Sequence, residues 1–238
     1  MQRSGNPLIL VCSLLIIPVL LSCSQQHTSD ASDISYTELI QCIGADRQQF
    51  ADQYFTASDQ AEAQEILDEA RDYLIESITE GLIPYWYGTK WDYEGTTQVP
   101  GEGYIACGYF VTTILRDAGF NIRRVHWAQQ ASEYIIKALT QEQFIKRYSN
   151  SVPIEKFLAS IKEWGPGLYV VGLMDHTGFI YCDGVDVNFL HSSPNMPKKV
   201  VSEINGKNPR LRNSAYRVLG KISADDVLIK KWLEYTEI

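Results

Sequence analysis

The chain has 238 residues, 45% of them hydrophobic, and a formal net charge of −8. That length suffices for one domain with a sizeable core, and the acidic balance argues against nucleic acid as a partner and against docking on anionic lipid by charge. Tyrosine (14) and tryptophan (5) are plentiful; an aromatic groove for glycan or peptide, or simply a tyrosine-rich core and rim, would account for them equally.

The amino terminus carries a targeting pattern. Arg3 supplies a positive start, and Pro7 to Leu21 is an apolar stretch of signal-peptide length, too short for a confident membrane span. Leu20-Leu21-Ser22-Cys23 resembles a bacterial lipobox. Residues 1–22 are therefore expected to be a lipoprotein signal peptide and Cys23 the lipidated first residue of the mature chain. Residues 23–35, rich in Ser and Gln, read as a flexible tether. This places the protein in a bacterial cell envelope, held to a membrane only through its lipid and facing the periplasm or the surface.

The domain itself is expected over 36–238. Tyr36 to Tyr54 has mixed helical periodicity. Ser58-Asp59 can cap a longer helix to about Thr79, with Ile66, Ala70, Tyr73, Leu74 and Ile78 on one face. Gly81 and Pro84 are expected to stop it. Pro84 to Gly103 has no clean period and reads as a long loop over a cleft. Cys107 to Ala118 is the next helix, ended by Gly119, and Ser132–Leu139 and Pro153–Trp164 are two more. Leu168–Leu173, Thr177–Cys182, Val185–Leu190 and Ala215–Leu219 read as strands, with Asp183-Gly184 closing a hairpin. Ala224 to Tyr235 closes the chain as a helix. Helices followed by antiparallel strands make a single α+β domain, with the helix of Cys107 packed on the sheet.

Once the signal peptide and Cys23 are set aside, Cys42, Cys107 and Cys182 remain. Three thiols cannot all pair with one another, so one is expected free, and Cys107 is the choice for it. A Cys42–Cys182 pairing stays open. No Cys/His spacing suits zinc, so neither metal nor cofactor is expected. Cys107 follows the glycine-broken approach Pro100–Ala106 and opens a helix, where the dipole favours thiolate, the nucleophilic form. His176 and His191 follow in strand-like segments. Asp175, a strand neighbour of His176, should point to the opposite face and not orient it. Arg123-Arg124 could meet a substrate carboxylate, but a solvated pair is the simpler reading. His126 is read as a surface or core residue.

Four segments occur in order: Tyr85-Trp86-Tyr87-Gly88-Thr89, Ala106-Cys107-Gly108-Tyr109-Phe110-Val111, Pro166-Gly167-Leu168-Tyr169 and His176-Thr177-Gly178-Phe179-Ile180-Tyr181. Together they resemble the NlpC-type cysteine peptidases of bacterial cell walls, over roughly Ile83 to Pro194. The resemblance implies a papain-like fold with Cys107 as nucleophile, His176 as general base and His191 as the group that orients it. It also implies Tyr85 near the oxyanion site, with Trp86, Tyr87 and Tyr104 available to bind substrate. The chain departs from that family's pattern at Ala106-Cys107-Gly108, where Asp-Cys-Ser is usual, and at Thr89, where a second glycine is usual. The implied activity is cleavage of an amide bond in a peptidoglycan stem peptide through a thioester, by a monomer. Two other readings are an acyltransferase or lipid hydrolase using the same Cys/His pair, favoured by an apolar cleft, and a degenerate glycan- or peptide-binding surface lipoprotein.

Overall fold

A computed structural model describes residues 34–238, so the signal peptide and the lipidation expected at Cys23 lie outside the described residues. The domain opens with α1 (Tyr36–Thr56) and α2 (Gln60–Glu76). Ser35, expected in the tether, caps α1 instead: its hydroxyl accepts from the Glu38 N–H while the Glu38 carboxylate accepts from the Ser35 N–H. Asp59 caps α2 by accepting the N–H groups of Ala61 and Glu62.

The expected stop at Gly81 does not occur. Ser77–Leu82 widens into a π-helical turn, in which the Ile83 N–H reaches the Ile78 carbonyl, and α3 (Ile83–Trp86) follows directly. Pro84 sits in the first turn of α3, directly after the π turn, whose wider ring accommodates a residue that has no N–H to give. The chain then runs as a loop to Ala106. Next come α4 (Cys107–Asp117), α5 (Arg124–Ala128), α6 (Ser132–Leu139), β1 (Ile145–Ser149) and α7 (Ile154–Trp164). The remainder is β2 (Gly167–Leu173), β3 (Thr177–Cys182), β4 (Val187–Ser192), β5 (Val200–Ile204), α8 (Pro209–Asn213), β6 (Tyr216–Gly220) and α9 (Asp226–Glu234).

The strands form one antiparallel sheet of six in the order β1-β6-β2-β3-β4-β5, so the domain is α+β. Both faces are covered. Leu168, Val170, Phe179, Leu190 and Val218 pack into the large core with α1–α4, α6 and α9. Tyr169, Val171, Ile180, Phe189 and Leu219 pack with Ile154, Phe157 and Ile161 of α7 and Leu211 of α8. Double coverage explains why β2 is a nearly unbroken apolar run rather than an alternating one. Each large apolar side chain so enclosed contributes about 1.5–3 kcal/mol of transfer free energy.

Cys182 is buried among these side chains as a free thiol, so it does not pair with Cys42. Among the described residues, no helix is long and apolar enough to cross a membrane.

Gly178 is the point at which fold and site meet. A Cβ there would lie 2.7 Å from Phe189 Cε2, 2.8 Å from His191 Cβ and 2.8 Å from the Leu190 carbonyl oxygen. The absence of a side chain lets the Phe189 and His191 rings lie over β3. Gly178→Ala should therefore overpack this spot and destabilise the domain by about 1–3 kcal/mol, measured as a lower urea midpoint at unchanged m-value.

Candidate active site

Cys107 is the first residue of α4, and the backbone N–H groups of Cys107 and Gly108 face its sulfur. A third N–H, that of Thr177, reaches it from β3. Because Thr177 directly follows His176, this contact brings the thiol to the end of the sheet that carries the histidine. Both Cys107 and His176 line a cleft of about 570 Å³.

The histidines are joined. His176 Nε2 lies 2.7 Å from His191 Nδ1, with the two ring planes close to perpendicular. His191 Nε2 in turn lies 2.7 Å from Glu203 Oε2. Sheet register makes this arrangement: His191 on β4 faces Val201 of β5, while Phe189, two residues back on the same face, pairs with Glu203. Glu203 therefore stands diagonally beside His191. Stacking of Phe189 on His191, centroid to centroid 3.9 Å, holds the ring flat. Asn208 donates its side-chain N–H to the same Glu203 oxygen.

The electrostatics follow from enclosure. Burial pushes the His176 pKa well below the usual imidazole value, and the nearby His191 and Arg210 push the same way. Burial also lowers His191, against the hydrogen bond and charge of Glu203. Glu203 is held below the usual carboxylate range chiefly by the His191 hydrogen bond, with help from Asn208. Near neutral pH the arrangement is two neutral imidazoles ending on a carboxylate.

Cys107 corrects the sequence expectation. Burial raises its thiol pKa, and this outweighs the three backbone N–H groups and the Arg210 charge, which favour thiolate. The helix N-terminus alone does not ionise it, because the sulfur is largely enclosed by the cleft wall.

The loop of residues 87–106 is fastened at several points. At the sheet edge Val200 donates its N–H to the Thr89 carbonyl (2.8 Å) and accepts from the Gly88 N–H (3.0 Å), and the Trp91 N–H donates to the Lys198 carbonyl (2.8 Å). The buried Thr89 hydroxyl accepts from the Gly101 N–H at 2.8 Å, which gives this threonine a purpose a glycine could not serve. Arg124, read from sequence as a substrate-facing or solvated residue, is buried. It donates to the carbonyls of Thr96 (3.1 Å) and Thr97 (3.0 Å) and to the Thr113 hydroxyl. Ser192 of β4 donates to the Ile105 carbonyl at 2.7 Å. Trp91, Tyr93, Glu94 and Thr96 of this loop line the cleft together with Gln129, Gln130, Asp175 and Arg210.

The aromatic residues picked from sequence are elsewhere. Tyr85 turns its hydroxyl onto the Ile34 carbonyl (2.6 Å) and its ring onto Tyr36, so it is not among the cleft-lining residues and does not face the oxyanion position. Trp86 is fully buried and donates to the Tyr36 hydroxyl, a core role rather than a substrate contact. The Tyr87 hydroxyl meets Ser202, and Tyr104 is exposed beneath Lys90; neither lines the cleft. The helical continuation through Gly81 rotates Tyr85 and Trp86 away from the site, and Trp91 and Tyr93 take the cleft wall. Asp175 does reach the cleft, because residues 174–176 form the β2–β3 turn rather than strand, and there it pairs with Arg210. His126 is exposed on α5, with its ring edge-on to Tyr134.

Residue type and spacing alone do not single out Glu203, Asn208 and Arg210. Glu203 lies on a strand whose mixed pattern gave no period-2 signal. The Asn208-Pro209 pair is a helix-start signal that could have been read. Among the described residues, no cluster of His, Cys, Asp and Glu could hold a metal ion. No protein family matches this chain, and neither does any curated protein or solved structure.

Gly108 has no room for a side chain. A Cβ there would lie 2.5 Å from the Ala128 carbonyl oxygen, because α5 rests its C-terminal end on the first turn of α4. Gly108→Ser should destabilise the domain by about 1–3 kcal/mol, read by chemical denaturation, and lower the reactivity of Cys107 by shifting its helix turn.

Proposed function

We propose that the protein is a cysteine hydrolase acting on an amide bond, with Cys107 as nucleophile and His176 as general base. The single observation that carries this reading is the hydrogen-bonded series His176–His191–Glu203 ending at the cleft that holds Cys107. A chain of two buried imidazoles on a carboxylate is costly to enclose without a task. His176 uses Nε2 on His191, so Nδ1 is the nitrogen left to take a proton.

In the proposed reaction the Cys107 proton passes to His176 as the sulfur attacks the carbonyl carbon. The backbone N–H of Cys107 helps hold the oxyanion, and the imidazolium returns its proton to the departing amine. Water then attacks the thioester with His176 again as base, releasing a carboxylate and restoring the thiol. Because the thiol is un-ionised at rest and the histidine neutral, proton transfer accompanies attack rather than preceding it.

The papain-like order of nucleophile helix before histidine strand, the family resemblance and the lipobox pattern support a cell-wall stem peptide as substrate, met from the envelope side of a membrane. The cleft wall is mixed, with Glu94, Thr96, Gln129, Gln130, Asp175 and Arg210 beside Trp91, Tyr93, Tyr109 and Pro194, which suits a peptide that offers both polar and apolar groups.

Cys107→Ala and His176→Ala should each abolish release of peptides from purified wall fragments, followed by mass spectrometry, with the circular dichroism spectrum unchanged. His191→Ala should cost less, about 10²-fold, since a base that has lost its orienting partner still retains some of the benefit of base catalysis. Full activity in Cys107→Ala would end this reading.

The protonation states give a second expectation. Hydrolysis should rise with pH through a group titrating below the usual imidazole value near 6.5, because His176 becomes a base only on losing its proton and burial makes it lose that proton early. Alkylation of Cys107 should climb with pH beyond the ordinary thiol range, with no reactive plateau in acid. A plateau of rapid labelling down to about pH 5 would signify a preformed thiolate–imidazolium pair instead.

A further inference from the structure

We propose that Glu203, fixed by Asn208, is a positioning residue that sets which nitrogen of each buried histidine carries the proton, and so leaves His176 Nδ1 as a lone pair facing its task. The inference deepens the hydrolase reading and rests on it for its kinetic consequence; the proton placement itself does not depend on it.

The direction is imposed from the backbone. Asn208 caps α8, and its Oδ1 accepts the N–H groups of Arg210 (2.8 Å) and Leu211 (3.1 Å). With the oxygen committed, its amide nitrogen must be the end that meets Glu203, and that nitrogen can only donate. The same nitrogen lies 3.4 Å from His191 Nε2.

Glu203 Oε2 therefore receives from Asn208, and as a carboxylate oxygen it can only accept from His191 Nε2 at 2.7 Å. His191 thus carries its proton on Nε2. Being neutral, it offers a lone pair on Nδ1, which His176 Nε2 can reach only as a donor, at 2.7 Å. His176 then carries its proton on Nε2 as well, and Nδ1 is bare. Reversing any link would set two N–H groups, or two lone pairs, face to face in an enclosed space. Among the other charged groups around the pair, Arg210 is a cation and offers no competing acceptor.

The test uses the full-length protein labelled with ¹⁵N and long-range proton–nitrogen correlation of the assigned imidazoles at pH 7. The expected result is that both His176 and His191 are Nε2–H tautomers. Either ring found as the Nδ1–H form overturns the proposal, whether or not the protein proves to be a hydrolase. Glu203→Ala should release both rings into mixed tautomers and lower kcat by about 10²-fold with little change in KM.

Glu203→Gln keeps an accepting oxygen where the carboxylate stood, so it should retain both tautomers and recover most of the lost rate. Unchanged tautomers in Glu203→Ala, or a Gln variant no better than Ala, would overturn the assignment. Should Glu203→Ala fail to fold, the native spectrum and the Gln variant decide the matter. Asn208 is unsuitable for the test because its loss also uncaps α8.

Discussion

A hydrogen bond between two buried imidazoles is the constraint around which this domain is arranged. Each ring has one donor and one acceptor when neutral, and two adjacent cations could not share so small an enclosed space. Enclosure keeps both rings neutral, and neutrality makes the bond directional. A directional bond needs an acceptor at its far end, which Glu203 supplies across the β4–β5 register. Much of the surrounding structure answers that need: a glycine beneath the rings at 178, an aromatic floor at Phe189, and a helix cap at Asn208 that orients an amide.

The Cys107 side of the cleft is built by different means. α4 delivers Cys107 to the cleft because its buried face, from Phe110 through Leu115, is fixed in the large core. The loop before it is held by backbone pairing to the sheet edge, by Arg124 and by Ser192, so the approach to the thiol is rigid despite having little regular structure. Three backbone N–H groups converge on the sulfur, yet burial dominates and the thiol stays protonated. In the proposed reaction this makes the neutral base indispensable, since nothing else in the cleft ionises the sulfur in advance.

Part of this was legible from residues alone. Strong signals gave α6 and β3 at their observed bounds, and gave α4, α7, β2 and β6 to within a residue or two. α5, β1, β5 and α8 have no legible periodic signal, since each is five residues long and none is the buried apolar run that marks β6. Local propensity predicts a stop at Gly81 and Pro84. The core prevailed by burying Ile78, Leu82, Ile83 and Trp86 on a continued helix, with a π turn absorbing the misfit. That single continuation turned Tyr85 and Trp86 from the cleft.

The sequence by itself determined the chemistry on offer: a cysteine opening an apolar helix, histidines downstream among the strands, and an α+β order of elements. These are properties of residue type and short-range spacing. Only the tertiary structure decided how those groups behave. Burial set the charge on Cys107 and on both histidines, and strand register chose Glu203 from among many acidic residues. Backbone close approach required glycine at 108 and 178. Each depends on which distant segments come together, and neither composition nor period carries that.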